Sequence, residues 1–173
     1  MVAHVLKRLQ PQVQNIVINA NRNLEQYRRF GLPVIPDPDD SHRGPLVGIA
    51  TVMENVESRY FVSVPCDAPF FPMDLILRLR EALKGNSALC SVACWDGSLQ
   101  PVFALFRKAA KPAIEDYLRS GERKVGRWHQ LHHSIPVEFA DLPNTFFNIN
   151  TEEQLHAVEE QLKQPPETGN RLK

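Results

Sequence analysis

The chain predicts an α/β fold built from parallel βαβ units, on three observations. A short β-branched run, an acidic loop and an amphipathic helix follow one another twice. The stretch FVSVPCDAPFFP, Phe61 to Pro72, reads as a strand covered on both faces that empties into a loop carrying one carboxylate, Asp67; Pro69 and Pro72 forbid it to continue. A length of 173 residues with 43% hydrophobic side chains suits a single domain, expected over 1–163, with a flexible tail over 164–173.

Taken in order, Val2, Val5, Leu6 and Leu9 have helical spacing, and Pro11 stops that helix. NIVIN, Asn15 to Asn19, is a β-branched strand. A polar helix then runs from Leu24 to Phe30, with Gly31 as its C-cap. Pro33 to Ile35 is a short strand leading into PDPDDSHRGP, whose carboxylates are Asp37, Asp39 and Asp40; the last two read as solubilising loop residues. Gly44 precedes a helix with Leu46, Ile49, Ala50 and Met53 on one face. The scheme repeats from Tyr60, and Leu75, Ile76, Leu79 and Leu83 form the second buried stripe.

Beyond Leu83 the pattern changes. Leu89 to Trp95 and Pro101 to Phe106 read as two strands about an Asp96–Gly97 turn, antiparallel at the sheet edge or as a ribbon beside it. Ala110, Ala113, Ile114 and Tyr117 mark another helix. Ser120 to His133 reads as a polar, basic loop with at most one helical turn. Ser134 to Phe139 and Thr145 to Asn148 are strand candidates. A last helix starts at Thr151, with Gln154 completing a capping box and Leu155, Val158 and Leu162 as its apolar face.

Twenty basic and twenty acidic residues cancel, which argues against a nucleic-acid coat or a membrane surface. MVAHVLKRLQPQ has no signal-peptide pattern and no apolar run is long enough to span a bilayer, so a cytoplasmic location is expected. Cys66, Cys90 and Cys94 read as packed, reduced thiols. His129, His132 and His133 have the spacing of metal ligands but no accompanying carboxylate or thiol cluster, which favours a solvated loop face. Asp67 has two open roles: it caps its turn, or it holds a divalent cation over a phosphate at a strand's carboxyl end.

Several stretches in one order carry a resemblance: INANR (Ile18 to Arg22), VIPD (Val34 to Asp37), GPLVGI (Gly44 to Ile49), VPCDAPFFP (Val64 to Pro72), QPVFALF (Gln100 to Phe106), GERKVGRW (Gly121 to Trp128) and FNINTEEQL (Phe147 to Leu155). Together they resemble the MobA-type molybdenum cofactor guanylyltransferases. The resemblance implies a Rossmann-like, doubly wound, mostly parallel nucleotidyltransferase sheet. It also implies a Mg²⁺-dependent transfer of GMP from GTP to molybdenum-molybdopterin, with molybdoenzymes or other cofactor-biosynthesis proteins as partners.

Carried over by position, Asn19, Asp37 and Asp67 are nucleotide contacts, and Asp67 is also the catalytic metal ligand. Gly44, Asn148 and Asn150 are further active-site positions. Arg123, Lys124 and Arg127, with Arg107, Lys108 and Lys111 beside them, form either a cationic rim for the pterin phosphate or a solvated basic loop. Direct nucleotidyl attack requires no thiol, so Cys66 stays a packed residue.

One departure stands beside the match. The family's first strand and glycine-rich phosphate loop have no counterpart upstream of the first helix, which leaves two neighbouring strands with unpaired edges. The reading adopted is that the natural protein starts upstream of Met1; a shortened paralogue is the alternative. Rival functions are a non-catalytic pterin-binding or delivery module, and a nucleotidyltransferase for another nucleotide or acceptor.

Overall fold

The computed structural model describes residues 1–38, 44–141, 145–149, 151 and 153–154. In chain order the elements are α1 (Val2–Leu9), β1 (Ile18–Asn19), α2 (Leu24–Arg28), β2 (Val34–Ile35), α3 (Pro45–Asn55), β3 (Tyr60–Ser63), α4 (Leu75–Leu83), β4 (Cys90–Trp95), β5 (Ser98–Arg107), α5 (Lys111–Arg119), α6 (Val125–Leu131) and β6 (Ile135–Glu138). Single 3₁₀ turns follow α1, at Gln10–Gln12, and β5, at Lys108–Ala110.

The strands form two ladders. β1 pairs with β2 in parallel, and a four-stranded sheet runs β3-β5-β4-β6. Within the larger sheet β5 is antiparallel to both β3 and β4, while β6 is parallel to β4. The α/β class expected from the alternation stands, as does the Rossmann-like form implied by the resemblance, but the larger sheet is mixed and not mostly parallel. The Asp96–Gly97 hairpin occupies its middle and not its edge, a correction to the expected placement. Both turn residues have positive φ, 49° and 70°, the requirement of a tight type I′ connection. No ladder hydrogen bond joins the two sheets among the described residues, so β1 and β3 each present an open edge.

Alternation along β5 explains the layers. Phe103 and Leu105 enter one core with Leu75, Leu79 and Leu83 of α4 and Val5 and Leu9 of α1. Ala104 and Phe106 enter the other, with Leu46 and Met53 of α3, Ile114 of α5 and Trp128 of α6. A sheet covered on both faces needs apolar residues at successive positions, which is why its strands read as continuous hydrophobic runs. Each fully buried leucine of α4 contributes about 1.5–3 kcal/mol of transfer free energy.

Other expectations change in detail. NIVIN pairs only at Ile18 and Asn19. Ser120 to His133 contains a full helix, α6, whose buried Val125, Trp128 and His129 have helical spacing that the surrounding charge hides. Thr145 to Asn148 is not a strand; Phe146, at φ 67°, anchors it by ring contacts with Phe103 (4.8 Å) and Phe139 (5.5 Å). The capping box is formed: Gln154 N–H donates to Thr151 Oγ1 at 3.2 Å, and Thr151 N–H to Gln154 Oε1 at 3.3 Å. Asp39, Asp40, Asn150, the apolar face of the last helix and the 164–173 tail lie outside the described residues.

Candidate active site

Each of the first three strands ends in a polar residue or polar loop, and the candidate residues collect there. Asn19 ends β1, and its Nδ2 donates to the Ile35 carbonyl at 3.0 Å and to Asp37 Oδ1 at 2.9 Å. Asn21 completes the cluster: its Nδ2 donates to Asp37 Oδ2 at 2.8 Å and its Oδ1 accepts from the Asp37 N–H at 2.7 Å. Two amides thus orient both oxygens of one carboxylate, leaving its remaining lone pairs for a ligand. Asn21 was missed as a functional candidate, although INANR contained the signal. An amide two residues beyond Asn19, in a loop, is placed to reach back to the same acceptor.

Helix α3 presses against this cluster. A Cβ at Gly48 would lie 2.1 Å from Asn19 Oδ1, so glycine lets the helix approach with the Asn19 amide in place, and a larger residue would require that amide to move. At the start of α3, Gly44 has φ 85° and ψ 173°, a conformation almost confined to glycine, and a Cβ there would sit 3.7 Å from the Arg123 carbonyl. The Gly44 turn and the Arg123–Lys124 segment are therefore neighbours.

The basic residues divide into two groups. Arg107 donates to the carbonyls of Ala88 and Leu83, and Lys108 to that of Val56, while Lys111 pairs with Glu54 and Glu115. These three serve as structural caps and ion pairs, not as a rim. Arg123 donates to the Leu118 and Glu122 carbonyls, fixing the end of α5, and Arg127 pairs with Glu122 at 2.8 Å. Lys124 is exposed on the loop beside Gly44.

Asp67 lies in the turn after β3, half-buried between exposed Cys66 and fully buried Ala68. Its backbone carbonyl accepts from Ile149 N–H at 2.6 Å, which brings exposed Asn148 beside the Asp67 turn. Its carboxylate has no hydrogen-bond or ion-pair partner among the described residues. Cys66 is exposed, which corrects the packed reading; partial desolvation of its thiol first, and then the Asp67 charge, push the thiol above its ordinary value. No hydrogen bond joins Asp67 to the Asn19–Asp37 cluster among the described residues.

The donor set fits a divalent cation that shares its ligands with substrate. Among the described residues no group of three or more His, Cys, Asp or Glu could cage a metal, whereas Mg²⁺ ordinarily takes one or two carboxylates plus phosphate oxygens and water. A single uncommitted carboxylate at a strand end meets that requirement. Both ring nitrogens of His129 are already committed within the protein. His129 is 2% exposed, with Nε2 donating to the Pro101 carbonyl and Nδ1 accepting from Ser134, both at 2.9 Å, which corrects the expected solvated face. Burial holds its pKa below the usual histidine value.

Residues 1–135 match the MobA-like NTP transferase domain family. The chain is 42% identical over 154 residues to a molybdenum cofactor guanylyltransferase of Shewanella halifaxensis, covering 89% of this chain and 77% of that protein. A relative of the same name from Shewanella loihica is 40% identical over 160 residues, 92% of this chain and 82% of that protein. The crystal structure of molybdopterin-guanine dinucleotide biosynthesis protein A from Archaeoglobus fulgidus superposes with a TM-score of 0.70 at 21% identity, covering 93% of this chain and 84% of that one. A cytidylyltransferase for 2-C-methyl-D-erythritol 4-phosphate from Thermus thermophilus shares the fold, with a TM-score of 0.66 at 14% identity over 94% of this chain and 88% of that one. With its strand-end carboxylates and amides in a fold common to nucleotidyltransferases, the chain belongs to the MobA-like NTP transferase family, among the molybdenum cofactor guanylyltransferases.

Proposed function

We propose that the protein transfers GMP from GTP to the terminal phosphate of molybdenum-molybdopterin, giving the guanine dinucleotide form of the cofactor and pyrophosphate. The observation that carries this reading is the Asp67 carboxylate, uncommitted among the described residues yet fixed through its backbone to Ile149. An oxygen of the acceptor phosphate attacks the α-phosphorus of GTP; the bond to the bridging oxygen breaks, and its electron pair leaves with pyrophosphate. Such a displacement needs alignment and charge neutralisation more than covalent help from the protein.

Asp67 would hold Mg²⁺, which when bound supplies Lewis-acid neutralisation of phosphate oxygens. Asn19, Asn21 and Asp37 orient the nucleoside, Asp37 as an acceptor for donor groups of the base or ribose. Asn148, and Asn150 by position, contact the nucleotide phosphates or the acceptor. Lys124, with Arg123 and Arg127, offers positive charge to the pterin phosphate. The neighbourhood of Gly44 and Arg123 would place that acceptor side next to the loop after β2.

The test is acceptor-dependent pyrophosphate release with GTP and Mg²⁺, beside Asp67→Asn, with CTP as competitor. Release that requires molybdenum-molybdopterin, collapses in Asp67→Asn and resists CTP is expected. A folded wild-type protein that binds pterin but never releases pyrophosphate would overturn the reading.

A further inference from the structure

We infer that Gln12, aided by Arg8, is a positioning residue for Asp67. This deepens the proposed function and rests on Asp67 being the metal-bearing carboxylate. The turn that carries Asp67 continues through Ala68 to Pro72, all buried, before α4 begins at Leu75. Pro69 and Pro72 have no N–H, so the segment cannot continue the ladder of β3, and its buried carbonyls need donors from elsewhere.

Two consecutive carbonyls beyond Asp67 are held by α1 and the 3₁₀ turn after it. Arg8 Nε donates to the Phe71 carbonyl at 2.8 Å, and Gln12 Nε2 donates to the Pro72 carbonyl at 3.2 Å. The same Gln12 amide accepts the Ile76 N–H at 3.1 Å through Oε1. That N–H belongs to the first turn of α4, and Asp74, at the N-cap position, makes no side-chain capping bond. A residue distant in sequence therefore caps the helix that a local residue leaves uncapped. Gln12 is itself steadied by a bond from Nε2 to the Arg8 carbonyl at 3.0 Å.

The Asp67 segment is thus pinned at both ends. Ile149 holds the carbonyl of Asp67 itself, and Gln12 and Arg8 hold the far end at Phe71, Pro72 and Ile76. Loss of Gln12 leaves the Ile76 N–H without its acceptor and the Pro72 carbonyl with the Leu75 N–H alone, and lets the turn shift against the Ile149 anchor. A displacement of about 1 Å at an aligned site costs on the order of 100-fold in rate.

The experiment compares Gln12→Ala, Gln12→Glu and Arg8→Lys with Asn86→Ala as control. Asn86 makes an equivalent two-way link at the opposite end of α4, donating to Ala82 and accepting from Ala88. Three readouts are taken: kcat and KM for GTP, Mn²⁺ affinity by electron paramagnetic resonance with GTP present, and the thermal midpoint. Gln12→Ala is expected to lower kcat and weaken Mn²⁺ binding by about tenfold or more, with KM for GTP little changed. Gln12→Glu keeps the acceptor for Ile76 but loses the donor to Pro72, and Arg8→Lys keeps the charge but loses the Nε geometry, so both fall between Gln12→Ala and wild type. Asn86→Ala lowers the thermal midpoint without either functional change.

Wild-type kcat and Mn²⁺ affinity in Gln12→Ala would overturn the inference, as would parallel losses in Asn86→Ala. If Gln12→Ala does not fold, the same two outcomes are read from Gln12→Glu and Arg8→Lys. Retention of metal binding and turnover by Asp67→Asn would instead remove the functional reading beneath it.

Discussion

The backbone N–H of Ile149 donates to the backbone carbonyl of Asp67 at 2.6 Å, so the candidate metal ligand is anchored through atoms that side-chain substitution does not touch. Asp67→Asn therefore removes a charge and leaves the anchor. The unfolding free energy is expected to stay within the range of surface substitutions, about ±0.5 kcal/mol, while GMP transfer falls by about 100-fold or more. Calorimetric unfolding alongside a pyrophosphate assay checks both halves.

Gly48→Ala separates stability from binding in the opposite way. Alanine is the better helix former by about 0.8–1.0 kcal/mol in the middle of α3. Its methyl would meet Asn19 Oδ1 at 2.1 Å, and the polar end of that side chain must swing away from Asp37. The expected result is an unchanged or slightly raised thermal midpoint with GTP binding weakened about tenfold, read by isothermal titration.

Lys124→Glu is the clean probe of the basic rim, because Arg123 also fixes the end of α5 and Arg127 is paired with Glu122. Charge reversal at Lys124 should weaken molybdopterin binding about fivefold or more at low salt and spare GTP. Arg123→Glu should lower the thermal midpoint as well. Unchanged pterin affinity in Lys124→Glu would remove this loop from the acceptor site.

His129 sets an acid limit on stability. Its Nε2 proton faces the Pro101 carbonyl and its Nδ1 accepts from Ser134, with Cys90 Sγ 3.8 Å away, so the buried ring is neutral. Burial lowers its folded-state pKa, hence the unfolded chain takes up the proton first. Its stabilising contribution is complete above the unfolded value, about 6.5, and is lost as pH falls below it. His132, lowered first by burial and then by His133, acts in the same sense. Glu138 and Asp141, lowered chiefly by hydrogen bonds from Cys94 and Arg78, act in a more acidic window. Urea midpoints should fall between about pH 7.5 and pH 5, and His129→Gln should show a shallower decline.

The sequence was most legible where one local signal sufficed. The alternating strands, the stripe of α4, the Asp96–Gly97 turn and the Thr151–Gln154 capping box depend on neighbours in the chain, and each is visible in the pattern. Strand order was not legible, because the central position of β5 depends on pairing with β3 across many residues. Helix α6 was hidden because its buried stripe includes His129, a side chain whose burial depends on the distant Pro101 carbonyl. At the site, Asp67 stood out as a carboxylate released after an apolar run, whereas Asn19 and Asp37 were legible only through the family resemblance. The Asn21 clasp on Asp37 and the Gln12 cap on Ile76 are tertiary hydrogen bonds, and residue type alone gives them no signature.

The division of the strands into two ladders bears on how the protein opens. The ladder carrying Asn19 is two residues long, whereas the sheet behind Asp67 has four strands packed between two cores. The amides of Ile18 and Ala20, bonded to Pro33 and Ile35, should exchange with solvent by a local opening that leaves β4 and β5 protected. A nucleotide bound across both halves would join two cooperative units, and slower exchange at Ile18 and Ala20 would record that union.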